Sequence, residues 1–151
     1  MQILIIGSVY ETAEWLDARR LRRQVLDCDQ VLRALMGETK HWRTHPCVLQ
    51  YRWCEDWLIS YKACLQAYLD RCPRLALQYS QRADLVRPVF HVQDYFDQMK
   101  RRLYTQSPDL YPQWASLGVS DVNWYWSQSE GCFIHYRNGK RVLSEIIYSK
   151  K

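Results

Sequence analysis

The stretch Asp17-Ala-Arg-Arg-Leu-Arg-Arg-Gln-Val-Leu-Asp-Cys-Asp-Gln-Val-Leu-Arg-Ala-Leu-Met36 decides how the rest of the chain is read. At 100° per residue, Leu21, Val25, Cys28, Leu32 and Leu35 fall on one stripe, and Arg20, Arg23, Asp27 and Gln30 on the opposite one. This is the pattern of an amphipathic helix with a charged outer face. A carboxylate therefore sits among cations. Most such faces are solvated surfaces laced by i,i+3 and i,i+4 ion pairs. The functional alternative is that the arginines hold phosphates while the carboxylate between them does acid–base or electrostatic work.

On the amino-terminal side, residues 3–6 are a short β-branched apolar run ended by Gly7-Ser8, which reads as a buried strand or an extended arm. It brings the amino terminus close to a core. Thr12 or Asp17 is placed to cap the first helix and Gly37 to stop it. On the other side, His41-Trp42-Arg43-Thr44-His45-Pro46 is a polar, aromatic connector, with Pro46 fit for the first turn of a second helix. From there Trp53, Trp57, Tyr61, Cys64, Leu65, Tyr68, Leu69 and Cys72 recur at helical spacing, so a helix reaching about Arg71 is expected as the central core element. Cys72-Pro73 ends it, and residues 74–81 add one or two turns.

After Pro88 a third helix points Val92, Tyr95, Phe96, Met99 and Leu103 inward and leaves Lys100, Arg101 and, at its edge, Arg102 as a second basic face. Residues 111–126 read as an aromatic-rich irregular segment containing Trp124-Tyr-Trp126. Phe133-Ile-His-Tyr-Arg, Asn138-Gly139 and residues 140–147 carry a hairpin signal with a two-residue type I′ turn. The expected fold is thus mainly α: a compact three-helix single domain over 1–151, with a short N-terminal strand or arm and a C-terminal β-hairpin.

At 151 residues one domain buries about two-thirds of its unfolded surface and needs no covalent staples. The formal net charge is +5, and five arginines lie between Arg19 and Arg33, so nucleic acid is a fitting partner. Six cysteines include no C-x-x-C pair, and no clustered histidines complete a metal site; reduced, mostly buried thiols and no metal or cofactor are expected. The start Met-Gln-Ile-Leu-Ile-Ile-Gly has no basic n-region or small-residue cleavage site. Neither a signal peptide nor a membrane span is expected, and the cytoplasm is the natural compartment. No G-x-S-x-G, Gly-rich phosphate loop or H-E-x-x-H is present, so any chemistry is distributed along the chain.

Four patterns taken in order resemble the pyrimidine-dimer DNA glycosylases, the small base-excision enzymes of the ultraviolet-damage endonuclease V type. They are Val25-Leu-Asp-Cys-Asp-Gln-Val-Leu32; His45-Pro-Cys-Val48 followed by Glu55-Asp56 and Tyr61; Phe90-His91 leading to Arg102-Leu-Tyr and Pro108-Asp-Leu-Tyr111; and Trp124-Tyr-Trp126. The resemblance implies a helical domain acting on duplex DNA. It puts the catalytic acid on Asp27 and phosphate-contacting arginines on Arg20, Arg22 and Arg23, while Leu26 and Gln30 stand where the family has cations. The nucleophile it implies is the amino-terminal amine, here that of Met1, because Gln2 is too large for the initiator methionine to be trimmed.

An α-amine, with an ordinary pKa near 7.7–8.0, is substantially neutral at physiological pH, whereas a lysine is not. It would attack C1′ of the damaged nucleotide and form an imine, with Asp27 stabilising the developing positive charge. Lys100, Arg101 and Arg102 add phosphate contacts, and Trp124 and Trp126 are either a hydrophobic cover or a base-stacking surface. His45 and His91 read as structural hydrogen-bonding histidines. Two rival readings remain: an inactive nucleic-acid-binding module of the same fold, and an interaction or inhibitor domain whose basic faces meet an acidic protein.

Overall fold

The computed structural model describes residues 1–117 in full and, beyond them, the backbone of residues 122–127, 132–137 and 140–142. The described residues are mainly helical, with six α-helices: α1 (Val9–Trp15), α2 (Ala18–Leu35), α3 (Pro46–Gln50), α4 (Glu55–Leu69), α5 (Pro73–Leu85) and α6 (Gln93–Gln106). A 3₁₀ helix over Pro112–Leu117 and strands β1 (Val122–Ser127), β2 (Cys132–Arg137) and β3 (Lys140–Val142) follow. The chain divides into two compact units, Met1–Pro88 and Val89–Lys151.

Helix count is where the sequence expectation of three needs most correction, and local chemistry explains each difference. Ser8 caps a separate α1 by accepting from Glu11 N–H, while Asp17 caps α2 by accepting from Arg20 N–H. Both residues carry short oxygen-bearing side chains suited to that position. The expected second helix is broken into α3 and α4 by a turn in which Trp53 takes φ 69°. Trp53 is consequently 56% exposed rather than in the core. The stretch over residues 74–81, expected to give one or two turns, lies within the longer α5, which Pro73 opens in its first turn.

In the first unit α4 is the hub, packed by α2, α5 and α1. Trp57, Leu58, Tyr61, Cys64, Leu65 and Ala67 are its buried residues. Tyr51, Trp57 and Tyr61 form a stacked aromatic column, with ring centroids 5.5 and 4.8 Å apart. Helix α2 ends as expected at Gly37, whose φ of 77° suits a residue without a Cβ; Glu38 N–H reaches Arg33 O and Gly37 N–H reaches Ala34 O.

In the second unit α6 buries Tyr95, Phe96, Met99 and Leu103, as its periodicity predicts, and Phe90 and His91 pack beside Tyr95. Tyr111 and Trp114 stack at 5.3 Å. Residues 122–126, read from sequence as the end of an irregular segment, fall in β1. The strands pair antiparallel in the order β1-β2-β3, with Trp124 opposite His135 and Tyr136 opposite Arg141. Asn138 and Gly139, which carried the turn signal, and residues 143–151 lie outside the described residues.

Candidate functional site

The amino-terminal arm organises the site. Ile3, Leu4, Ile5 and Ile6 are all buried, at 2, 6, 0 and 3% exposure. They form no strand, so their backbone polar groups need partners from elsewhere. Helix side chains supply them. The Gln24 side chain donates from Nε2 to Gln2 O at 2.8 Å and accepts at Oε1 from Leu4 N–H at 2.8 Å. The Tyr61 hydroxyl lies 2.5 Å from Leu4 O and 3.0 Å from Gln24 Oε1, one proton facing two acceptors. Ile6 N–H donates to Thr12 Oγ1, whose hydroxyl in turn donates to Ser8 O.

One turn along α2 from Gln24, Gln2 N–H donates to Asp27 Oδ2 at 3.4 Å. Asp27 Oδ1 lies 3.1 Å from Arg23 Nε, but that N–H is not aimed at it; the contact is an ion pair without an aligned hydrogen bond, and the buried oxygen keeps an unused acceptor position. Asp27 is only 3% exposed. Its expected place on the outer face of α2 is therefore corrected: the arm crosses that face and covers the carboxylate. The buried set of α2 is Leu21, Gln24, Asp27, Cys28, Val31, Leu32 and Ala34, and Leu26 is exposed instead.

His45 and Cys47 complete the surroundings of the amino terminus. His45 Nδ1 accepts from Cys47 N–H at 3.1 Å and so caps α3, which requires a neutral ring with its proton on Nε2. Burial, followed by the positive charge of the amino terminus, lowers the His45 imidazole below its usual 6.5, with Asp27 acting in the opposite direction. Burial pushes the Cys47 thiol up to about 12, against a hydrogen bond with the Ile3 backbone and the amino-terminal charge. Cys28 is raised well above its usual value by burial and then by Cys47 and Asp27. These mutual influences set the α-amine, Asp27, His45 and Cys47 in one neighbourhood.

The other expected site residues are less uniform. Arg23 is 60% exposed, and Arg22 is exposed beside it. Arg20 is turned back to Asp17 at 2.9 Å. On α6, Lys100 and Arg101 are half-buried and not outward as expected: Lys100 lies 3.9 Å from Asp97, and Arg101 donates to Leu117 O at 3.5 Å. Arg102 is the exposed member. Trp124 and Trp126 lie in β1, and their side chains are outside the described residues. Among the described residues no cluster of histidine, cysteine and carboxylate side chains could hold a metal, and no helix is long and apolar enough to cross a membrane. Sequence reasoning missed Gln24. The available signal was a lone amide at the rim of the apolar stripe, one turn before the acid.

Residues 1–71 match the sequence model of the pyrimidine dimer DNA glycosylase family. The resemblance carried by the motifs is therefore shown for the segment that holds Met1, Asp27 and His45, and it supports a pyrimidine dimer DNA glycosylase-type function at family level, with DNA as the implied substrate. No curated protein and no solved structure matches the chain.

Proposed function

We propose that this protein is a DNA glycosylase with associated AP lyase activity on damaged or modified pyrimidines in duplex DNA, and that the α-amine of Met1 is its nucleophile. The observation that carries this reading is the docking of the amino terminus on a buried carboxylate: Gln2 N–H meets Asp27 Oδ2, and Oδ1 keeps an unused acceptor. A buried carboxylate oxygen whose partner cation lies 3.1 Å away without an aligned hydrogen bond keeps acceptor capacity that the fold does not use. A site that receives a proton or a developing positive charge has a use for it.

In the proposed reaction the amine lone pair forms a bond to C1′ as the C1′–base bond breaks, and the base leaves with that electron pair and a proton. Loss of the second amine proton and opening of the sugar ring give an imine. Removal of a C2′ proton then expels the 3′ phosphate by β-elimination, and water releases the amine. Asp27 is assigned the stabilisation of positive charge at C1′ and the proton movements. Arg22 and Arg23 on α2 and Arg102 on α6 are assigned phosphate contacts.

Borohydride trapping on ultraviolet-irradiated and abasic duplexes tests the proposal, since only a working amine gives a covalent adduct. The expected result is an adduct that maps by mass spectrometry to the amino-terminal peptide. Salt-dependent binding without any adduct on either substrate would overturn the enzyme and leave a DNA-binding module.

A further inference from the structure

The arm spanning residues 1–6 has no secondary structure of its own, yet its alternate backbone groups are fixed by one side chain. Gln24 offers a donor to Gln2 O and an acceptor to Leu4 N–H, two positions apart. This is the pairing that the backbone of a neighbouring strand would supply. A one-residue slip would turn every side chain of an extended segment to the other face, so a partner that reads positions 2 and 4 sets the register. Tyr61, buried on α4, locks the same point through Leu4 O. Gln24 and Asp27 are i and i+3 on one helix, so the group that holds the arm and the acid that faces its end share a rigid frame.

We infer that Gln24, backed by Tyr61, is a positioning residue that sets the register of the amino-terminal arm and thereby holds the α-amine beside Asp27. The inference rests on the amine acting as nucleophile, as proposed above, but assigns a role to residues that touch neither substrate nor the reacting atoms. Glutamine is the side chain the position needs. Leucine matches its bulk but removes the bonds to Gln2 O and Leu4 N–H, and glutamate has no donor for Gln2 O.

Gln24→Leu and Tyr61→Phe, with wild type, are to be compared on an abasic duplex. In the trapping step the amine nitrogen bonds to C1′, the aldehyde oxygen departs as water, and borohydride delivers hydride to C1′. Gln24→Leu is expected to lower the saturating trapping rate by about 10²-fold, the scale of a misplacement of about 1 Å, while the half-saturating DNA concentration stays within about two-fold. Tyr61→Phe, which removes the hydroxyl from Leu4 O and Gln24 Oε1 but leaves the Gln24 bonds to Gln2 O and Leu4 N–H, should give a smaller loss. Extending the chain by one glycine before Met1, which moves the amine by one Cα step, should reproduce the large loss with Gln24 intact. A purely structural role predicts a lower melting temperature with the saturating rate unchanged in folded protein.

A folded Gln24→Leu that traps at the wild-type rate overturns the inference. If Gln24→Leu does not fold, unimpaired trapping by both Tyr61→Phe and the extended chain overturns it equally. Wild type that fails to trap at all is a different result: it removes the proposed nucleophile, and with it the role assigned to Gln24.

Discussion

The backbone N–H of Gln2 meets Oδ2 of Asp27 at 3.4 Å although 25 positions separate them in sequence. This single contact joins the least regular segment of the first unit to the helix with the densest charge. It turns an acid that periodicity places on an outer face into a buried group. The arm replaces water over Asp27, and in a dry site a carboxylate acts on a nearby positive charge far more strongly than in bulk solvent.

Asp27→Asn tests that consequence. The amide oxygen can still accept from Gln2 N–H, so the arm is expected to stay docked and the far-ultraviolet spectrum to match wild type. Imine trapping and strand cleavage are expected to fall by at least about 10²-fold, a usual size for losing a positioned acid–base group. Duplex binding should be retained, because removing a negative charge beside Arg23 does not weaken attraction to phosphate. A variant with wild-type cleavage would mean that Asp27 only anchors the arm.

Binding itself should respond to salt in a way that separates two neighbouring arginines. Neutralising four phosphates gives a slope of about −3.6 in log K against log salt, roughly 0.9 for each contact. Arg22→Gln is expected to reduce the slope by about one such step. Arg23→Gln should reduce it by less, because Arg23 is already paired with Asp27 at 3.1 Å. Fluorescence anisotropy across a salt series measures both, and slopes near zero for wild type would point to an acidic protein as the partner instead.

The parts legible in sequence are those governed by local chemistry. The span of α2, its stop at Gly37 and the inward set of α6 follow from periodicity and capping. The packing of Ile3 to Ile6 was legible as burial, though not its means, because four of the arm's hydrogen bonds come from three residues 20 or more positions away: Gln24, Asp27 and Tyr61. The same reason hid Asp27, since helical periodicity describes one helix and knows nothing of an arm laid across it. Trp53 misled for another reason. A left-handed backbone residue ends the turn before α4, and periodicity cannot register one residue that leaves the helix.

His45 should make stability depend on pH on the acid side. Its folded imidazole is held below the usual 6.5 by burial and the amino-terminal charge, and its neutral Nδ1 accepts from Cys47 N–H. Between the two values the unfolded chain binds a proton that the folded chain does not. Stability is therefore full above about 6.5, falls as pH drops through that value and levels off below the folded pKa. His45→Asn keeps an oxygen acceptor at the cap and removes the titration. The difference in urea midpoint between wild type and variant, followed from pH 7.5 to 5, is expected to shrink or reverse on acidification. A difference that does not change with pH would show that the ring is not coupled to folding.

Arg71 offers a stability test remote from the amino terminus. Helix α4 ends with Cys72 N–H on Ala67 O at 2.8 Å and Arg71 N–H on Tyr68 O at 3.1 Å, the same closure that ends α2. At α2 the left-handed position is Gly37; at α4 it is Arg71, with φ 61°. A side chain there brings Cβ against the following carbonyl at a cost of about 1–2 kcal/mol. Glycine removes that strain but gives the unfolded chain more freedom, which offsets part of the gain. Arg71→Gly is therefore expected to stabilise by roughly 0.5–1 kcal/mol, and for a chain of this size about 1 kcal/mol raises Tm by roughly 2–4 °C. Trapping and the saturating cleavage rate should not change, since Arg71 is exposed at the end of α4 while the arm is held by Gln24, Tyr61 and Asp27. A lower Tm would show that the arginine side chain contributes more at this turn than its backbone strain costs.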